Sequence, residues 1–200
     1  LRVIRQENKG CGPARQTGID HARGRFLAFT DDDCRPAPDW LSKLAAHLLA
    51  EPEAAVAGST HNGVEGSVLS EATQLVVNEL TLSGHRHGRV RFAPTCNLAV
   101  PRAQLGAIGG LDRRWSNSGG EDRDLCLRWL SAGFALKYEP AARVRHHHRL
   151  TLKQFARLHF HYGRGAWMVH HRTRLKYEPL GFYASLLLAP FGRFSGMAAW

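Results

Sequence analysis

Two acidic clusters stand out in this chain: Asp31-Asp32-Asp33, straight after the apolar run Phe26-Leu27-Ala28-Phe29, and Glu121-Asp122, behind Gly119-Gly120. Three carboxylates in a row repel one another and make poor core material. A divalent cation with a taste for hard oxygen ligands, Mg2+ or Mn2+, would remove that repulsion. In a strand-end turn alternate side chains point the same way, so Asp31 and Asp33 can converge while Asp32 faces elsewhere. A D-x-D pair of this kind can hold a metal that bridges the phosphates of a nucleotide and offsets charge on a leaving diphosphate. A second acid brought close in space could act as a general base. Both clusters also have a plainer reading. Asp favours turns and caps, and acids in a first helical turn complement the helix dipole.

The elements that must position these groups alternate along the chain. Residues 1–5 read as a strand, 6–13 as loop and 14–22 as a helix ending at Gly24. Residues 25–30 form a short, mostly apolar run consistent with a strand in a buried parallel sheet. The acid triplet follows. Pro36 and Pro38 lead into a helix over 39–50, with Trp40, Leu41, Leu44, Leu48 and Leu49 as its apolar stripe, and 54–58 is another short strand. This alternation predicts an α/β layered fold. The stretch 59–90 is ambiguous, with a helix over 69–82 and a mobile loop over 83–88. Extended structure resumes over 92–100, and a short helix over 104–108 closes at Gly109-Gly110. A helix over 122–132, with Leu125, Trp129 and Leu130 facing a core, stops at Gly133. Residues 134–138 and 142–145 look extended, and a long basic and aromatic helix is expected over 151–172.

The bulk numbers frame this reading. An apolar content of 44% with 22% charged residues belongs to a globular chain, and 200 residues make one domain or a domain plus an appendage. The chain starts without methionine, so it reads as a piece of a longer polypeptide. The four cysteines, Cys11, Cys34, Cys96 and Cys126, form no C-x-x-C pair, which argues against a zinc ribbon, and scattered single cysteines fit a reducing cytosol. The net charge of +10 is concentrated: from Lys137 to Lys176 there are ten Lys/Arg against one acid, Glu139. Such a patch seeks phosphate, as nucleotide diphosphate, anionic lipid or nucleic acid, unless it is a solvated face.

One ordered set of motifs is more specific than any single cluster. Asn8-Lys9-Gly10, Ala14-Arg15, Ala22-Arg23-Gly24, the Phe29-to-Asp33 run with Pro36 and Trp40-Leu41, Cys96-Asn97-Leu98-Ala99-Val100, Gly109-Gly110-Leu111-Asp112, Gly119-Gly120-Glu121-Asp122 and Tyr138-x-Pro140…Val144-x-His146 follow in that order. This resembles the inverting family 2 glycosyltransferases of GT-A fold over roughly residues 1–150. The resemblance implies a Rossmann-like, mixed but mainly parallel sheet flanked by helices, followed by a helical tail over 151–200. It implies metal-dependent transfer of a sugar from a nucleotide-diphospho-sugar donor to a glycan or lipid-linked acceptor, with Mg2+ or Mn2+ as cofactor. Asp31, Asp33 and His146 would be the metal residues, Asp33 the more direct ligand and Asp31 nearer the ribose or diphosphate. His147 and His148 leave the register of the histidine open. Asp122 would be the catalytic base, with Glu121 orienting the acceptor or the base. Arg15, Asp31, Asp32 and Asn97 would line the donor or acceptor. The family's opening strand and base-binding loop are expected before residue 1.

The tail goes beyond the family pattern. His159-Phe160-His161-Tyr162-Gly163-Arg164-Gly165 suggests a helix with a close contact permitted by glycine. It fits either an anionic membrane surface, at the cytoplasmic face of the cell membrane, or packing over the catalytic domain. Residues 180–191 are apolar but too short to span a bilayer, which takes about 20 residues. Two rival readings remain: a nucleotidyltransferase using the triplet, which should carry a Gly-rich nucleotide loop, and a non-catalytic membrane- or nucleic-acid-binding module. Nucleic acid is not the expected partner, because a binding module does not explain acids at both a strand end and a helix start.

Overall fold

The computed structural model describes residues 2–86, 89–115 and 119–173. The chain divides into two units, Leu1–Val169 and His170–Trp200; the sheet and the helices before residue 170 belong to the first, and the last described helix runs across the boundary. The apolar run expected over 180–191 lies outside the described residues.

Among the described residues five strands form one sheet: β1 (Phe26–Phe29), β2 (Cys34–Pro36), β3 (Ala55–Asn62), β4 (Leu98–Pro101) and β5 (Leu136–His146), in the order β1-β4-β3-β5-β2. Among the described residues six α-helices alternate with the strands in sequence: α1 (Cys11–His21), α2 (Trp40–Ala50), α3 (Val68–Arg86), α4 (Arg102–Ala107), α5 (Glu121–Ser131) and α6 (Leu152–Thr173). The sheet is mixed, as expected, but its balance differs. Among the described strands β3 and β5 pair in parallel, while β1–β4, β3–β4 and β2–β5 are antiparallel. The short run at 26–29 is therefore an edge strand, half-buried along its length, rather than the centre of a parallel sheet.

Strand alternation builds two cores. Ala55, Ala57, Leu98 and Val100 face one side and pack with Leu105, Leu125 and Trp129 of the helices α4 and α5. Val56, Ala99, Ala142 and Val144 face the other and meet Trp40, Leu44 and Leu48 of α2. The spacing of four between these α2 residues puts them on one line down the helix. Leu41 and Leu49, expected on the same stripe, lie one residue round from it and are exposed. Removing a buried leucine such as Leu44 from this seam costs about 2–5 kcal/mol.

Further expectations are corrected. Residues 2–5 form no strand: Val3 is 75% exposed, and a strand needs a neighbour's ladder and a buried face to persist. Helix α1 starts at Cys11 rather than 14, because Pro13 falls in the first turn, where its missing N–H removes no helical bond. The two extended pieces over 134–145 are one strand with an irregularity. Its register against β3 jumps from Gly58↔Glu139 to Ser59↔Arg143. Ser83 to Arg86, expected in a loop, continue α3.

Candidate active site

The Gly119-Gly120 turn feeds α5 and fixes the acid pair at its start. Gly119 has φ +115°, a left-handed conformation that favours glycine. Glu121 is 4% exposed, and its carboxylate is fully engaged. One oxygen accepts the backbone N–H groups of Gly119 (2.8 Å) and Gly120 (3.0 Å). The other accepts the Cys11 thiol (2.9 Å) and the Arg15 guanidinium (3.4 Å). Burial, reinforced by the charge of Glu121, pushes the Cys11 thiol up to about 12, so it stays protonated and donates. Glu121 thus ties the start of α5 to α1.

Asp122 points the other way. Its Oδ1 accepts the Thr95 hydroxyl at 2.7 Å. Burial, then the neighbouring charge of Glu121, raises its carboxyl to about 6, against the opposing pull of Arg15 and Thr95. A carboxylate with that affinity for a proton suits general-base work near neutral pH.

Arg15 joins the two acid clusters. Its guanidinium holds Asp31 at 2.6 Å and Glu121 at 3.4 Å. Burial works against its charge, but the carboxylates of Asp122 and Asp31 outweigh that and hold it protonated. Acids that stand 16 and 106 positions away from Arg15 in the chain thereby share one site with it.

Beside this bridge lies a potential metal set. Cys34 and His146 are direct partners in the β2–β5 ladder, and the His147 N–H donates to the Asp33 carbonyl at 2.8 Å. That pairing sets Asp33 Oδ1 3.2 Å from His146 Nε2. His148 stacks on His146 with ring centroids 4.1 Å apart. One donor atom each from Asp33, His146 and His148 lie within 4.8 Å of one another. Both ring nitrogens of His148 are buried without a hydrogen-bond partner, and burial followed by the charge of His146 lowers that imidazole to about 4. A neutral imidazole with an idle nitrogen beside a carboxylate is a donor set that fits a divalent cation. The open histidine register resolves by alternation: 146 and 148 face the set, while the ring of His147 packs against Gly63, where no Cβ would fit.

The residues expected at the site separate accordingly. Asp33 and His146 come together; Asp31 is drawn to Arg15 instead of into the donor set, and Asp32 is exposed. Asn97 is corrected. It is 0% exposed, accepts the Trp40 indole N–H at 2.7 Å and donates to the carbonyls of Ser59 and Ala142, both at 3.0 Å. With both ends of its amide spent inside the sheet, it is a clasp, and Gly58 makes room for it: a Cβ there would collide with the amide.

Sequence reasoning missed Thr95, His148 as a donor, and Tyr162. The Tyr162 hydroxyl is pushed above its usual range by burial and then by the charge of Asp122 and the neighbouring Cys96, Glu121 and Asp31. It arrives on α6, whose backbone rests on the Gly119-Gly120 turn. A Cβ on Gly165 would run into the Gly119 carbonyl and the Gly120 nitrogen, and one on Gly119 into the backbone of His161. The glycine-permitted contact expected in the tail is this one, made with the turn that opens α5.

A mixed α/β sheet with a carboxylate–imidazole set at one strand end and an acid pair opening a helix defines a GT-A class of protein. The sequence profile described as "Glycosyl transferase family 2" matches residues 1–105, and the chain belongs to that family. It is 31% identical over 187 residues to the pre-mycofactocin glycosyltransferase of Mycobacterium tuberculosis (strain ATCC 25618 / H37Rv), covering 91% of this chain and 39% of that protein. It is 31% identical over 137 residues to the succinoglycan biosynthesis protein ExoM of Rhizobium meliloti (strain 1021), covering 66% of this chain and 42% of ExoM. The chain therefore spans well under half the length of these relatives. Among solved structures, the mannosyltransferase PcManGT from Pyrobaculum calidifontis, in complex with GDP-Man and Mn2+, superposes with TM-score 0.65 at 19% identity, over 94% of this chain and 52% of that one. GalNAc-T7 with UDP, GalNAc and Mn2+ superposes with TM-score 0.57 at 18% identity, over 91% and 41%. These likenesses establish the fold.

Proposed function

We propose that this chain carries the catalytic site of an inverting, metal-dependent glycosyltransferase that moves a sugar from a nucleotide-diphosphate donor to an acceptor hydroxyl. The observation that carries the reading is the Arg15 bridge, which holds the donor-side Asp31 and the acid pair of α5 in one site. A divalent cation, Mg2+ or Mn2+, held by Asp33, His146 and His148 would supply positive charge against the donor diphosphate. Asp122 accepts the proton of the acceptor hydroxyl as that oxygen bonds to the anomeric carbon. The bond from that carbon to the diphosphate oxygen breaks on the opposite face, and the diphosphate leaves with the electron pair. Glu121 fixes the start of α5, so Asp122 keeps its aim, and Thr95 orients the carboxylate. The neighbours solved with GDP-Man or UDP and with Mn2+ support the donor class and the metal.

The acceptor is a glycan or a lipid-linked sugar, in polysaccharide, glycolipid or cell-envelope synthesis, at the cytoplasmic face of the membrane. The outward face of α6 supports this. Lys153, Arg157, Phe160, Arg164 and Trp167 recur at spacings of three and four and are exposed, a basic and aromatic stripe suited to anionic headgroups. Among the described residues no helix is long and apolar enough to cross a membrane, so the contact is peripheral for this part of the chain.

The test is Asp122→Asn. Transfer is expected to fall by at least a thousandfold with donor affinity within about threefold of wild type, because the base acts on the acceptor. Loss of donor affinity as large as that of Asp33→Ala would overturn the assignment.

A further inference from the structure

We propose that Cys34, Cys96 and His146 form a second cation site, selective for a thiophilic divalent ion such as Zn2+, which competes with the Asp33–His146–His148 set for the imidazole they share. The two sites would differ in ligand chemistry and exclude one another.

The site is built on fixed elements. Cys34 sits in β2 directly opposite His146 in β5. Cys96 belongs to the turn Thr95–Asn97 that runs into β4, and it is 6% exposed. One donor atom from each of the three residues lies within 4.8 Å of the other two, and all four cysteines of the chain are free thiols. The Cys34 and Cys96 sulfurs lie within that distance of one another although the residues stand on different elements. A tetrahedral zinc site has Zn–S near 2.3 Å and Zn–N near 2.0–2.1 Å, which places its donors roughly 3.5–3.8 Å apart. The observed set needs only small side-chain adjustments to meet that. A carboxylate is at hand for a fourth position: Asp33 Oδ1 lies 3.9 Å from Cys34 Sγ and 3.2 Å from His146 Nε2.

Ligand softness separates the two sites. Two thiolates and an imidazole favour Zn2+ strongly over Mn2+ or Mg2+, whereas the carboxylate set suits the harder ions. A neutral imidazole coordinates a single ion, and two dications a few ångströms apart repel strongly. Zn2+ captured by the thiols would therefore remove His146 from the hard-cation set. Binding it also releases the thiol protons to solvent.

Co2+ is the probe, added to the full-length protein under a phosphine reductant in the absence of nucleotide. The expected result is a sulfur-to-cobalt charge-transfer absorption, bleached by one equivalent of Zn2+. The band should be abolished in Cys34→Ser and in Cys96→Ser and retained in Asp33→Asn. Cys96 is buried and its variant could fail to fold; Cys34 is half-buried on a three-residue strand, so Cys34→Ser keeps the test decisive. Zn2+ affinity by chelator competition should drop at least tenfold in Cys34→Ser, and Zn2+ should release Mn2+ from wild type as followed by electron paramagnetic resonance. Cobalt bound without a charge-transfer band, or a band that survives Cys34→Ser, would overturn the thiolate site. Zn2+ binding that leaves bound Mn2+ in place would overturn the shared ligand. Because these readouts need no nucleotide or sugar, their failure is distinct from failure of the transferase reading.

Discussion

Asp122 meets two demands that pull in opposite directions. In the proposed role of base it must be ionised, yet burial and Glu121 hold its carboxyl near 6, above the ordinary carboxylate value of 3.8. Transfer should therefore rise with pH through about 6 and level off above it. Thr95 stabilises the ionised form, so Thr95→Val should move that acid limb to higher pH; an unmoved limb in the pH–rate profile would show that another group sets it. The stability consequence has a definite sign. A folded value above the unfolded one favours folding at low pH, and that stabilisation is lost as pH rises through about 6. Asp122→Asn should consequently melt higher than wild type at pH 8, with the difference shrinking towards pH 4. An equal difference at both pH values would contradict the placement of the charge. The place of Asp122 at a helix start was legible from its motif, and so was that of Asp33 beyond a strand end. Arg15's bridge was not, because pattern carries no distance between Asp31 and Glu121. The same holds for Cys34 and Cys96, whose separation of 62 positions hides their proximity. His148 became legible only with the strand register, which decides whether 146 and 148 or 147 faces the site.

At the scale of elements, the contact between α6 and the Gly119-Gly120 turn is the one most sensitive to a single atom. Gly165→Ala puts a methyl against the backbone of that turn, and overpacking of this kind costs about 1–3 kcal/mol. At Gly163, two residues earlier, an added methyl would have nothing within 4 Å, so Gly163→Ala should be neutral or slightly stabilising. Urea unfolding of the pair would distinguish them; equal stability would mean α6 does not seat on the turn. Asn97→Ala should cost about 2–4 kcal/mol, since it strands the Trp40 indole and two carbonyls. Helices were the readable elements. Period and punctuation marked α2, α5 and α6, with Gly133 at φ +86° ending α5. Strands were harder, because β1 and β2 are four and three residues long and pairing partners are remote. Residues 2–5 carry a strand-like pattern, but Val3 and Ile4 find no burial.

For the whole molecule, the net charge of +10 acts through where it is displayed. Helix α6 turns one side to the Gly119-Gly120 turn and shows Lys153, Arg157, Phe160, Arg164 and Trp167 on the other. Lys153→Glu with Arg157→Glu should weaken sedimentation with anionic vesicles, more at 50 mM than at 500 mM salt by about tenfold, and leave donor binding unchanged. Vesicle association that is indifferent to these charges would remove the peripheral-membrane reading. The basic and aromatic pattern of this helix allowed two settings, and the helix carries features of both: packing on one side, a basic stripe on the other.

The transferase reading stands or falls on whether Asp33 and its imidazole partners hold a cation for a nucleotide-diphosphate donor. Calorimetric titration of the full-length protein with a panel of nucleoside diphosphates, with and without Mn2+, addresses this without needing the acceptor. The expected result is Mn2+-dependent binding of one nucleotide, lost in Asp33→Ala and kept in Asp122→Asn. Binding of no nucleotide at any Mn2+ concentration, or binding that Asp33→Ala leaves intact, would refute it.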